Sequence, residues 1–215
     1  MAWTSPATWL AGSTLTAAQL NEQVRDNSLA GGPIYTTEAL RDAAIPAPFE
    51  GQQAYITAPP VTTTTATGGV TAIPIGIQTI YNGASWTCIT PVSAYTTTSG
   101  TVTSGSYTTL TGGGTAPSVT LSTGLSALVT FTVVAAAPGG SVGAAASVAV
   151  SGASTVAASD SWWAFTDNSS FITLSRTFVM VLPTAGVNTF ALQYRMGSAG
   201  TGTFSTRAIT VQGIA

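Results

Sequence analysis

Charge is what this sequence has least of. Only 6% of its 215 residues are Asp, Glu, Lys or Arg, against about 25% in an ordinary globular domain. Lysine and histidine are absent altogether, so five arginines stand against seven acidic residues for a net charge of -2. Without His or Lys there is no Ser-His-Asp or Cys-His relay, no Schiff base and no phosphate-loop lysine. The basic footprint that nucleic acid demands is missing too. One cysteine, Cys88, excludes an intrachain disulfide framework and a cysteine-built metal site. The expectation is a protein that is not an enzyme and carries no catalytic residue, no metal and no cofactor. Long hydrophobic runs are also lacking. The longest, Ala127 to Ala137, is broken by two Thr and falls short of the roughly 18–20 apolar residues of a membrane span. Met1 is followed by Ala2, Trp3, Thr4, Ser5 and Pro6 with no basic segment, so no secretory signal is read. Synthesis in a cytoplasm, without membrane insertion, is expected.

What is present fills the gap in an unusual way. Apolar residues make up 45% of the chain and mean hydropathy is +0.38, which excludes disorder. Thr and Ser together exceed a quarter of the residues. Seven of the twelve charges lie in residues 1–50, and none lies between Gly51 and Ser159. Solubility ordinarily relies on interspersed charge. A charge-free stretch of this length, wetted by hydroxyls, predicts a chain built into an assembly, here a homotrimer.

The sequence predicts a mainly β protein with three parts: a short helical anchor over 1–50, a small β-hairpin module over 51–94, and a carboxy-terminal jelly-roll sandwich over 95–215. In the first part, Thr16 and Gln19 have capping-box spacing. Ala17, Leu20 and Val24 share one face of a helix expected over 17–28, closed by Gly31, Gly32 and Pro33. Such a helix is marginal alone, so Trp3, Trp9, Leu15, Leu20, Val24 and Arg25 are the candidate docking residues. A second short helix is expected over Glu38–Ala44. In the middle part, Asn82-Gly83 between β-prone runs is the strongest short hairpin signal, with Tyr81 and Trp86 bracing it. Beyond it, strands are expected at 107–110, 118–121, 128–134, 147–150, 171–182, 189–195 and 207–211. Their spacing and turn residues point to a sandwich or jelly roll.

The run Trp9 to Asn27, with Leu15-Thr16-Ala17, Leu20-Asn21 and Arg25-Asp26-Asn27, resembles the opening motif of tail-associated proteins of actinobacterial phages. Arg41 to Tyr55, followed by Tyr81-Asn82-Gly83-Ala84-Ser85-Trp86, is similar to a module of phage fibre and minor tail proteins. Gly186 to Arg195 and Thr203 to Val211 are similar to the trimeric jelly-roll tips shared with C1q-like and tumour-necrosis-factor-like domains. The resemblance implies a trimeric virion structural protein: a short tail fibre or minor tail protein that docks by its amino terminus on other virion proteins and contacts host surface glycans. A head fibre or capsid decoration protein, or a secreted carbohydrate-binding adhesin, are the alternatives.

Chemistry-bearing residues are few. Asp160 and Asp167 bracket Trp162 and Trp163, and two readings of the group stand. As a glycan site, the indoles supply stacking faces and the carboxylates accept hydroxyl protons. As structure, adjacent strand residues face opposite ways, which puts one ring in the core and one in a contact. Asp160, Asp167 and Asn168 also offer oxygens of the kind Ca²⁺ takes, without an EF-hand pattern. Cys88 reads as a small buried hydrophobe, and Gly112 to Gly114 as a turn.

Overall fold

The structure, a computed structural model, describes Thr16 and residues 32–58, 62–64, 76–137 and 143–214, with 62–64 as backbone alone. The expected helix over 17–28 and the docking residues Trp3, Trp9, Leu15, Leu20, Val24 and Arg25 lie outside the described residues.

The chain is mainly β. A first group comprises β1 (Ile34–Tyr35), α1 (Glu38–Ala44), β2 (Gln53–Ile56), β4 (Ile77–Tyr81) and β5 (Trp86–Cys88), with the strands in the sheet order β1-β2-β4-β5. The Thr37 hydroxyl caps α1 by accepting the Leu40 amide at 3.2 Å, satisfying one of the unpaired donors of a helix start. The helix stops at Ile45, ahead of Pro46, where a proline disfavours helical backbone in the residue before it. Asn82-Gly83 turns the β4–β5 hairpin: the Asn82 carboxamide oxygen accepts the amides of Ala84 and Ser85. Gly83 supplies φ +89°, a region costly for any residue with a Cβ. Tyr81 and Trp86 meet edge to face, centroids 5.6 Å apart, and the buried Arg41 guanidinium lies 4.4 Å from the Trp86 ring centroid.

The larger unit has eight principal strands: β6 (Val92–Thr96), β8 (Ser118–Thr123), β9 (Ser126–Ala136), β10 (Ala144–Gly152), β11 (Ala164–Thr166), β12 (Ile172–Val181), β13 (Gly186–Met196) and β14 (Gly202–Ile214). Their antiparallel pairing is nested. The first strand pairs with the last (β6 with β14), the second with the seventh (β8 with β13), the third with the sixth (β9 with β12) and the fourth with the fifth (β10 with β11). One long hairpin rolled up in this way gives two sheets, β11-β10-β13-β8 and β12-β9-β14-β6. That arrangement is the jelly roll. β3 (Thr62–Thr64) extends the first sheet beside β8, and β7 (Gly100–Val102) pairs with the start of β14.

Alternation along the strands makes the core. Val129, Phe131 and Val133 of β9 and Ile209 and Val211 of β14 face Val119, Leu121, Val148, Phe190 and Leu192 of the other sheet, all buried. Burying each such side chain contributes about 1.5–3 kcal/mol. The outward positions are filled by hydroxyls that bond one another across strands: Ser93 with Thr210 at 2.7 Å, Thr120 with Thr189 at 2.8 Å, Thr130 with Thr177 at 2.9 Å and Thr132 with Ser175 at 3.0 Å. These ladders keep a surface polar without charge.

The last strand also carries a charge into the interior. A register shift between Phe204 and Arg207 sets both inward, as a bulge does by adding a residue to one strand. Arg207 is fully buried. Its guanidinium donates to the Thr98 carbonyl at 2.7 Å, to the Gly113 carbonyl and to the Tyr194 hydroxyl at 3.4 Å.

The hairpin group packs on one end of the jelly roll. Gln212 donates to the Ile89 carbonyl at 2.8 Å and Ser122 to Glu38 at 3.4 Å. A Cβ on Gly213 would meet Thr87 and Cys88 within 2.6 Å. Cys88 is buried there, its thiol pushed up to about 11 by burial. The expected boundary between 94 and 95 falls inside β6. The expected strand over Tyr107–Leu110 forms no ladder; Thr108 makes a single bridge to Tyr194. Gly105 and the Gly112–Gly114 turn isolate this segment, and it becomes a loop over the sheet.

Candidate functional site

The loop between β10 and β11 brings the chemistry together. It runs along the exposed edge of β10, where Val156 and Val150 exchange backbone hydrogen bonds. The Ser147 hydroxyl donates to the Ser159 carbonyl at 2.8 Å and accepts the Ser159 amide at 3.2 Å. Ser159 then caps a single 3-10 turn, Asp160–Trp162, by accepting the Ser161 amide. From the facing sheet, Arg176 of β12 donates to the carbonyls of Trp163 at 2.7 Å and Ser161 at 2.8 Å. A loop tied at both ends in this way holds its side chains in place before any ligand arrives.

The turn sends the two tryptophans to different places. Trp162 goes inward: its indole N–H donates to the Val148 carbonyl at 3.0 Å, and its ring stacks on Phe178 of β12 at 6.2 Å, against the core. Trp163 goes outward and stacks on Phe165, centroids 5.0 Å apart and planes 14° from parallel. Register explains who joins them. Ala145 pairs with Phe165 on one side and with Arg195 of β13 on the other. Phe165, Ala145 and Arg195 therefore share one face, and the small, buried Ala145 lets the two large side chains lean together over it.

Arg195 is the centre of the group. Its guanidinium lies 5.1 Å from the Trp163 centroid and 5.4 Å from that of Tyr107. Asp160 takes both ends of the fork, at 3.1 Å from Nε and 2.6 Å from Nη2. Tyr107, on the loop that was expected as a strand, donates its hydroxyl to Asp160 at 2.8 Å. Bidentate pairs of this kind fix geometry as well as charge. The hydrogen bonds from Arg195 hold the Asp160 carboxyl below the usual carboxylate range, so the clamp persists at neutral pH and is lost only as acid protonates Asp160. Burial, with the hydrogen bond to Asp160 next, pushes the Tyr107 phenol up to about 12.

Beside this clamp lies an open cleft of about 580 Å³, whose lining includes Ser106, Tyr107, Ser159, Asp160, Gln193 and Arg195. It offers hydroxyl, carboxamide and carboxylate groups and the Tyr107 ring, while the half-buried Trp163, stacked on Phe165, stands behind it against Arg195. Of the residues named in the sequence, the structure joins Asp160 and Trp163, turns Trp162 to the interior and leaves Asp167 exposed in the loop after β11. Tyr107, Phe165, Gln193 and Arg195 were not foreseen. Among the described residues no three His, Cys, Asp or Glu side chains gather where they could hold a metal ion, and no helix is long and apolar enough to cross a membrane.

No family model and no curated protein matches the sequence. Among solved structures the chain is similar to the CBM22-1–GH10 modules of endo-1,4-β-D-xylanase 10B from Clostridium thermocellum, complexed with xylohexaose. Identity is 16% and the TM-score 0.30, over 76% of this chain and 26% of that one. The chain thus spans about a quarter of that structure, and a likeness at this level carries no argument about the site.

Proposed function

We propose that the chain is a non-enzymatic structural protein of a phage particle, of the tail fibre or minor tail kind, whose jelly roll contacts host surface glycans. The observation that supports the contact is the prebuilt cleft lined by Tyr107, Asp160, Gln193 and Arg195, with Trp163 packed against Arg195 behind it. Sugar rings present apolar faces that stack on aromatic side chains, and their hydroxyls need acceptors and donors at fixed positions. The cleft supplies both on a rigid sheet. The virion role rests on the motifs of residues 9–27 and 41–86. Assembly as a homotrimer fits a surface wetted by hydroxyl ladders, and Val179 and Val181, 56% and 77% exposed on the outward face of edge strand β12, are surface that a second copy would cover.

Immunogold labelling with an antibody to the jelly roll should decorate the tail end of the particle. Label on the head instead would move the protein to a capsid decoration role, and no label would remove it from the virion. Binding is tested separately by titrating oligosaccharides into the full chain. Trp163→Ala should weaken binding at least about tenfold, or about 1.4 kcal/mol, while the melting temperature moves little. Unchanged affinity would take the cleft out of the function.

A further inference from the structure

Resting on that reading, we infer that the cleft selects uncharged glycans, not sialylated, uronate or phosphate-bearing ones. The inference follows from where the described arginines go. The chain has no Lys or His, so an acidic sugar would have to be met by arginine or by backbone amides. Arg195 is the cation at the cleft, and both ends of its fork are taken by Asp160, while aromatic rings flank it on Trp163 and Tyr107. Its remaining terminal nitrogen donates to the Met196 carbonyl at 3.3 Å. Among the other described arginines, Arg176 is spent on two loop carbonyls, Arg41 pairs with Asp42 at 2.8 Å, and Arg207 is buried.

An anion entering the cleft would therefore have to displace Asp160 from Arg195 or sit beside an intact carboxylate. The Asp160 side chain remains 53% exposed and keeps acceptor capacity, since an ionised carboxylate has about four lone-pair sites. That free capacity suits hydroxyl donors and repels a second negative charge. Ser106, Ser159 and Gln193 add neutral donors and acceptors around it. The match is to a neutral pyranose or furanose with neighbouring hydroxyls, one face laid toward the Tyr107 ring in the cleft.

The test is a glycan array of the full chain carrying neutral galacto-, manno- and arabino-oligosaccharides beside oligogalacturonides, sialyl-oligosaccharides and glycerol-phosphate polymers. Neutral glycans should bind, and raising salt from 50 to 500 mM should change their affinity less than about twofold, because no ion pair forms across the interface. Acidic members should bind at least tenfold more weakly than their neutral counterparts. Asp160→Asn frees the Arg195 fork, so this variant should gain acidic glycans with steep salt dependence. Preference of the wild type for acidic glycans, or an Asp160→Asn variant with unchanged selectivity, would overturn the neutral assignment and leave the glycan site standing. Binding to neither class would withdraw the glycan site and this inference with it.

Discussion

Replacing Arg207 with alanine should destabilise the jelly roll by about 3–5 kcal/mol, the combined scale of leaving buried acceptors unbonded and opening a large cavity. The guanidinium bonds three separate segments: the β6–β7 connection through Thr98, the glycine turn through Gly113, and β13 through Tyr194. Deleting it leaves the buried Gly113 carbonyl and the Tyr194 phenol without this donor, each costing about 1–3 kcal/mol, removes the bond to the Thr98 carbonyl and opens a cavity. Arg207→Met fills the volume without the charge and should recover part of the loss. Arg207→Lys should not, because an ammonium cannot span three acceptors held in the plane of a fork. Guanidinium denaturation followed by tryptophan fluorescence reads all three. A loss under about 1 kcal/mol for Arg207→Ala would show that the buried charge is no staple.

The neighbouring tryptophans should separate cleanly in the same assay. Trp162→Ala removes a ring packed against Phe178 and the core and leaves the Val148 carbonyl unpaired. It should cost about 2–3 kcal/mol, at or below the low end for truncating a fully buried aromatic, because the ring is half-buried against the core. Trp163→Ala loses one stacked pair and one cation contact on the surface, about 1 kcal/mol together. The order of the two losses is the critical readout. If Trp163 proved the more costly, the inward and outward assignments would be reversed. Glycan affinity should show the opposite order, with Trp163→Ala the damaging change.

Local chemistry explains what the sequence disclosed. The helix Glu38–Ala44 and the Asn82-Gly83 hairpin were legible because capping, proline and turn residues act over a few positions. The strands β9, β12, β13 and β14 were legible as β-prone runs bounded by turn residues, while the inward turn of Arg207 depends on the register shift in β14 and was not read. β10 was read only from Ser147 to Val150. Its opening Ala144-Ala145-Ala146 has little strand preference and becomes strand because β11 and β13 pair with it on either side. At the site, Asp160 and Trp163 stood out as a rare charge beside an aromatic. Their partners Tyr107 and Arg195 lie 53 and 35 positions from Asp160, and only the rolled pairing of strands joins them. No spacing along the chain encodes that meeting.

The nesting of the strands sets a clock on biosynthesis. β14, the last of the jelly-roll strands to be made, lies between β9 and β6 inside its sheet and pairs along most of its length. The β12-β9 pair and β6 cannot be joined into one sheet until residues 202–214 leave the ribosome. At about 5–20 residues per second, the long charge-free segment waits several seconds or more as an unfinished sandwich with open strand edges. Nascent chains should thus remain protease-sensitive until β14 has emerged, and losing even the last residues of β14 should act on the whole jelly roll rather than fray one strand.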